Sequence, residues 1–146
     1  MEQRKTCLAM ERNYQLTDAQ FETQFADLSM DPTLFSHEAH LRLAWIHIKH
    51  HGVDKAIENI CRQINIFDAT FDDGTKYHTT LTVASIKTVC HFFLKSKSNT
   101  FQDFIAEFPR LKNNFKELIS SHYGFDVFTS EKAKSEYLKP DLLPYD

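Results

Sequence analysis

Several segments of the chain have apolar residues that recur at the spacing of an amphipathic helix. The clearest segment is 54–70, whose apolar positions are Ala56, Ile57, Ile60, Cys61, Ile64 and Phe67. Segment 37–50 has the same spacing at Leu41, Ala44, Trp45 and Ile48. Segment 77–96 has a broader apolar face, formed by Val83, Ile86, Val89, Cys90, Phe93 and Leu94. This breadth predicts a central position for the helix 77–96.

Residues that favour helix ends indicate where these and further helices begin and stop. Thr17 and Gln20 predict a capping box for a first helix that ends near Met30. Ser36 is a favourable N-cap for the helix 37–50, and Gly52 is expected to end that helix. Three shorter helices are expected to follow, the first capped by Thr100, the second running from Leu111 to Gly124, and the third capped by Ser130.

These elements predict an all-α fold, a compact bundle of about five to seven helices. The segment 77–82 also fits a short strand by propensity, but no second segment offers a partner for it. Residues 1–14 are expected to form a flexible leader and 15–146 a single helical domain. The apolar, proline-containing end at 137–145 is expected to lie along the bundle.

The composition narrows the classes of function. A hydrophobic share of 42% and an aromatic share of 13% are typical of a chain that folds, and the net charge of −3 gives no basic surface for nucleic acid. No stretch approaches the ~20 apolar residues of a membrane span, and 1–14 lacks the apolar run of a signal peptide. We therefore expect a cytoplasmic protein without nucleic-acid or membrane partners, whose cysteines, Cys7, Cys61 and Cys90, are free thiols.

Three histidines are expected to meet at one end of the bundle. Short loops make consecutive helices antiparallel, so the helices that start near 37 and 77 begin at the same end. His37 and His40 lie three residues apart on one helix face, and His78 opens the other helix. His50 and His51 of the first of these helices lie too far along it to join them. His47, about 10 Å from His40, is a marginal candidate that we interpret as a structural residue.

Three hypotheses follow for this histidine cluster. The imidazoles of His37, His40 and His78 can hold a transition metal, and they suit zinc, iron or nickel equally. An open coordination position would allow a metal-dependent enzyme, with Tyr77 as an acid or hydrogen-bond donor. The second hypothesis is a carboxylate or phosphate bound at the two helix N-termini, helped by the hydroxyls of Ser36, Tyr77, Thr79 and Thr80. The third is a structural or interaction bundle in which the histidines only pack.

Three short motifs give the chain a resemblance to known proteins. Residues 35–45, 77–82 and 140–144 fit F-[ST]-H-x-x-H-L-x-x-A-W, Y-H-x-T-[IL]-T and P-D-L-x-P. The chain thereby resembles an uncharacterised group of small bacterial proteins over about residues 35–144. The resemblance implies no particular reaction, and it points to His37, His40, Tyr77, His78, Thr80 and Thr82. Similar proteins have Y-H-E-T in the second motif, so an acidic ligand or base there would be missing in this chain.

Overall fold

The structure is a computed structural model that describes residues 11–145. This part of the chain is helical and contains no strand, which confirms the predicted all-α fold. Its α-helices are α1 Asp18–Ala26, α2 His37–His51, α3 Val53–Phe71, α4 Thr79–Lys95, α5 Phe101–Glu107, α6 Arg110–Asn113, α7 Phe115–Ser120 and α8 Glu131–Ser135. Two 3-10 helices, Arg12–Gln15 and Pro32–Leu34, precede α1 and α2.

The predicted capping residues begin their helices. Thr17 and Gln20 form the complete capping box of α1, in which each side chain accepts the backbone N–H of the other residue. The other three predicted caps each accept the N–H of the residue three positions on, and they are Ser36, Thr100 and Ser130. Gly52 ends α2 with φ of 82°, a left-handed conformation that glycine adopts without strain.

Three helix boundaries differ from the prediction. Helix α1 ends at Ala26 and not near Met30, because Leu28 takes a positive φ of 67° and the Asp27 carboxylate accepts the Ser29 N–H. Helix α4 begins at Thr79, so that His78 is its N-cap residue rather than part of the helix. The helix expected from Leu111 to Gly124 is divided, since Asn114 leaves the helical conformation and separates α6 from α7.

The core forms where α2, α3 and α4 pack against one another. Helix α2 is the most deeply buried, because every residue from Leu41 to Ile48 lies inside. Helix α4 packs against α7 and α8 as well as α2 and α3, as the central position predicted for 77–96 requires. Phe21 and Phe25 of α1 and Phe104 of α5 complete the largest part of the core. No helix within 11–145 is long and apolar enough to span a membrane.

Both ends of the described chain pack on the bundle. Residues 1–10 of the predicted leader lie outside the described residues, whereas Asn13 is fully buried. Arg42 of α2 donates to the Asn13 carbonyl at 2.7 Å, to the Leu16 carbonyl at 2.8 Å and to Asp18 at 2.9 Å. At the other end, the Leu138 N–H donates to Thr80 Oγ1 at 2.9 Å, so the tail lies along the bundle as predicted.

Candidate functional site

A cavity of about 630 Å³ opens between α2, α3 and α4. Most of its lining is apolar, and the side chains include Phe35, Leu41, Ala44, Ile60, Ile64, Phe67, Phe71, Leu81, Ile86, Val89 and Phe115. The polar side chains that reach it include three of the predicted site residues on α2 and before α4, His37, His40 and His78, and also Asp68, Tyr77, Thr82 and Ser85. A volume of this size with a few polar groups is typical of small-molecule sites.

Helix α2 turns one face toward this cavity. His37, His40, Leu41 and Ala44 follow one another at steps of three, one and three residues, which places all four on one side of the helix. The spacing that predicted a shared histidine face therefore also predicts the cavity wall. Phe35 precedes the helix, and its ring stacks on His40 with centroids 3.7 Å apart.

The hydrogen bonds of His37 and His40 determine the tautomer of each neutral ring. His37 Nε2 lies 3.2 Å from the Leu111 carbonyl, and His40 Nδ1 lies 2.8 Å from the Ser36 carbonyl. A carbonyl oxygen only accepts, so each of these nitrogens carries the hydrogen. In the neutral rings, His37 Nδ1 and His40 Nε2 are then hydrogen-bond acceptors.

His78 uses both ring nitrogens within the protein. Its Nε2 lies 3.0 Å from the Val127 carbonyl and donates to it, and its Nδ1 accepts the Leu81 N–H at 3.1 Å as the N-cap of α4. Burial lowers the pKa of His78, and protonation would also break the capping bond. His78 thus holds the start of α4 against the 121–130 region and has no free lone pair in this arrangement.

Asp68 of α3 holds the loop that leads to Tyr77 and His78. Its buried carboxylate accepts the N–H groups of Lys76 and Tyr77, both at 2.8 Å. Burial raises the pKa of Tyr77 to about 12, and its hydroxyl is engaged with Thr79 and Cys61. Tyr77 is therefore protonated near neutral pH, which allows hydrogen-bond donation and opposes a role as a base. Its catalytic role stays a prediction.

The predicted hydroxyl residues divide between the cavity and the scaffold. Thr82 lines the cavity, with its hydroxyl donating to the His78 carbonyl at 2.8 Å. Ser36, Thr79 and Thr80 are absent from the lining. Ser36 caps α2, and the fully buried Thr80 donates to the Glu136 carbonyl at 2.7 Å. Local capping and tail packing therefore account for the placement of Ser36 and Thr80, and the ligand-binding role of the hydroxyl residues stays a prediction.

The three predicted metal ligands share the cavity but do not form a tight metal cluster. Within residues 11–145, the side chains whose donor atoms all lie within 4.8 Å of one another are those of Glu22, His47 and His51, at the far end of α2. Metal binding by His37, His40 and His78 stays a prediction. Sequence reasoning missed Asp68 because its role depends on a loop that returns to it. It missed Glu22 because α1 and α2 come together only in the fold.

Comparisons of the chain with models of known protein families, with curated proteins and with solved structures give no significant match. The resemblance to the group of bacterial proteins therefore stays a prediction from the three motifs.

Proposed function

We propose that this protein binds a small, largely apolar molecule in the cavity between α2, α3 and α4. The observation that carries the proposal is the cavity itself, about 630 Å³ of space with a mainly apolar lining. Replacement of water by an apolar molecule along a wall of this extent is favourable, because it removes apolar surface from water.

The polar side chains favour a ligand with a hydrogen-bond donor. His37 Nδ1 and His40 Nε2 accept in their neutral forms, because the other nitrogen of each ring donates to a backbone carbonyl. A hydroxyl or amine on an apolar body satisfies such an acceptor. Carboxylate or phosphate fits less well, since the side chains of Ser36 and His78 each already accept one of the N–H groups at the starts of α2 and α4.

A transition metal bound by the histidines is the second candidate function. It is favoured by the two acceptor nitrogens of His37 and His40, which neutral imidazoles use to coordinate zinc, iron or nickel. His78 would have to give up one of its two hydrogen bonds to join them. A metal-dependent enzyme with Tyr77 as an acid belongs to this candidate. Cys61 and Cys90 form no disulfide within residues 11–145, as we expect of a protein in a reducing cytoplasm under either function.

The test is a fluorescence titration with N-phenylnaphthylamine, an apolar fluorophore that carries one N–H donor. We expect saturable binding to the full chain, and we expect Ser85→Phe to weaken it by at least about tenfold because the added ring fills the cavity. Ser85 lines the cavity and is half-buried on α4. The matched control is Ser120→Phe, an exposed position of α7 outside the lining, which should leave the affinity unchanged.

A second variant tests the acceptor at His40. His40→Leu keeps an apolar wall but removes the ring nitrogen, so it should reduce the preference for the naphthylamine over a similar hydrocarbon without N–H by up to about tenfold.

Equal binding of the fluorophore to wild type and Ser85→Phe would overturn the proposal. Stoichiometric zinc that is lost in His37→Gln, with no fluorophore binding in wild type, would support the metal function instead.

A further inference from the structure

A second histidine cluster lies at the C-terminal end of α2, away from the cavity. His47 and His51 are one helical turn apart and share a face, with ring centroids 5.4 Å apart. Glu22 of α1 faces them, and its Oε2 lies 2.8 Å from His51 Nε2. One donor atom from each of Glu22, His47 and His51 lies within 4.8 Å of the other two.

His47 supplies an independent observation. Its side chain is only 1% exposed, and neither ring nitrogen has a hydrogen-bond partner within residues 11–145. Buried polar atoms are nearly always paired, because leaving them without a partner costs the full penalty of removing them from water. A bound cation beside the carboxylate and the second imidazole would give one of these nitrogens a partner.

We propose that Glu22, His47 and His51 form a binding site for a divalent transition-metal ion. Two imidazoles and one carboxylate are a ligand set for zinc and for non-haem iron, with metal–ligand bonds of about 2.0 to 2.2 Å. Donor atoms within 4.8 Å of one another need only small side-chain shifts to reach such an ion. The site does not depend on the function proposed for the cavity.

The hydrogen bonds of Glu22 prepare its carboxylate for this role. His50 Nδ1 contacts Oε1 at 2.9 Å, while His51 contacts Oε2. An ion bound by Oε2 takes the place of the proton between that oxygen and His51 Nε2, and the proton of the neutral His51 ring moves to Nδ1. Glu22 and His51 are partly exposed, with side-chain exposures of 24% and 37%, so water can occupy a fourth coordination position.

The test is calorimetric titration of the full, tag-free chain with zinc after the metal has been stripped. We expect stoichiometric binding in the wild type. Glu22→Gln and His51→Gln should each raise the dissociation constant for zinc by about 100-fold or more. Loss of a residue that only hydrogen-bonds a metal ligand costs up to about 100-fold, and loss of a ligand itself should cost no less. Both side chains reach solvent, so the helical circular dichroism should not change.

The control is Glu117→Gln, which removes an exposed carboxylate of α7 outside both sites and should bind zinc like the wild type. Zinc binding that is absent in the wild type, or that survives in both Glu22→Gln and His51→Gln, would overturn the site. Zinc binding that is lost in His40→Gln alone would also overturn it, because the ion would then belong to the cavity. N-phenylnaphthylamine binding should be unaffected by Glu22→Gln, so failure of one proposal does not imply failure of the other.

Discussion

Helix α2 carries histidines at both ends, and their hydrogen bonds and surroundings differ between the two ends. At the N-terminal end, His37 and His40 each donate to a backbone carbonyl and line a mostly apolar cavity. At the C-terminal end, His51 contacts the carboxylate of Glu22, and His47 is buried beside them without a hydrogen-bond partner within 11–145. The first end suits an organic ligand and the second a cation.

The difference comes from what faces each end rather than from α2 itself. Both ends carry histidine pairs at helical spacing, three residues apart at the first and four at the second. Apolar rings surround the first pair, while α1 brings a negative charge to the second. The proposed metal site at the second pair therefore depends on the further ligand that α1 supplies.

Arg42 lies between the two ends of α2, and its replacement should change the free energy of unfolding more than any other variant proposed below. Arg42→Met removes donors to Asn13, Leu16 and Asp18, which leaves buried acceptors without partners and loosens the start of α1 on α2. We expect a loss of about 3 kcal/mol in the free energy of unfolding, measured in urea. The control Lys55→Met removes an exposed ion pair with Glu58 and should cost under about 1 kcal/mol. Equal losses in the two variants would contradict the role of Arg42.

Sequence patterns predicted the fold more completely than the site. Caps such as Thr17 and Ser36 act within a few residues, so local spacing was enough to identify them. The break at Asn114 had no such local signal. The cavity wall on α2 follows from the spacing of its residues, but the hydrogen bond from His78 to the Val127 carbonyl joins residues 49 positions apart. Contacts of this kind depend on packing, which the sequence alone does not reveal.

His78 is next in expected effect, and its variants distinguish a structural from a ligand-binding histidine. His78→Ala loses the cap of α4 and the bond to the Val127 carbonyl, so we expect a loss of about 2 kcal/mol in the free energy of unfolding. The side chain in His78→Asn can still cap α4, so this variant should lose only about half as much stability as His78→Ala. His37→Ala loses one bond at an exposed position and should cost less. Similar losses in His37→Ala and His78→Ala would remove this distinction.

Stability should also fall in mild acid because of the buried histidines. Desolvation lowers the pKa of His47 to about 4, and it lowers the pKa of His78 as well. In the unfolded chain the histidine pKa values lie near 6.5, so below about pH 6.5 the unfolded chain binds more protons than the folded protein does. The stability that the neutral histidines contribute is therefore present above this pH and is lost as the pH falls. From about pH 7.5 to about pH 5.5, with chelator present, His47 alone should account for about 1 kcal/mol. Urea unfolding that is unchanged over this range would contradict the neutral, buried state of His47.

The smallest expected effect has an unusual sign. His47→Leu replaces a buried imidazole, whose nitrogens lack partners within residues 11–145, by an apolar side chain. In the presence of chelator, it should stabilise the protein by about 1 kcal/mol, because the penalty for burying those nitrogens disappears.

The comparison with His40→Leu makes this result specific to the C-terminal end of α2. His40→Leu loses a hydrogen bond to the Ser36 carbonyl and should destabilise the protein. Zinc should raise the melting temperature of the wild type and of His40→Leu but not of His47→Leu, since binding to the folded state alone stabilises it. If His47→Leu lowers stability with chelator present, the His47 nitrogens are already satisfied without a metal. The two ends of α2 would then differ only in the shape of their surroundings.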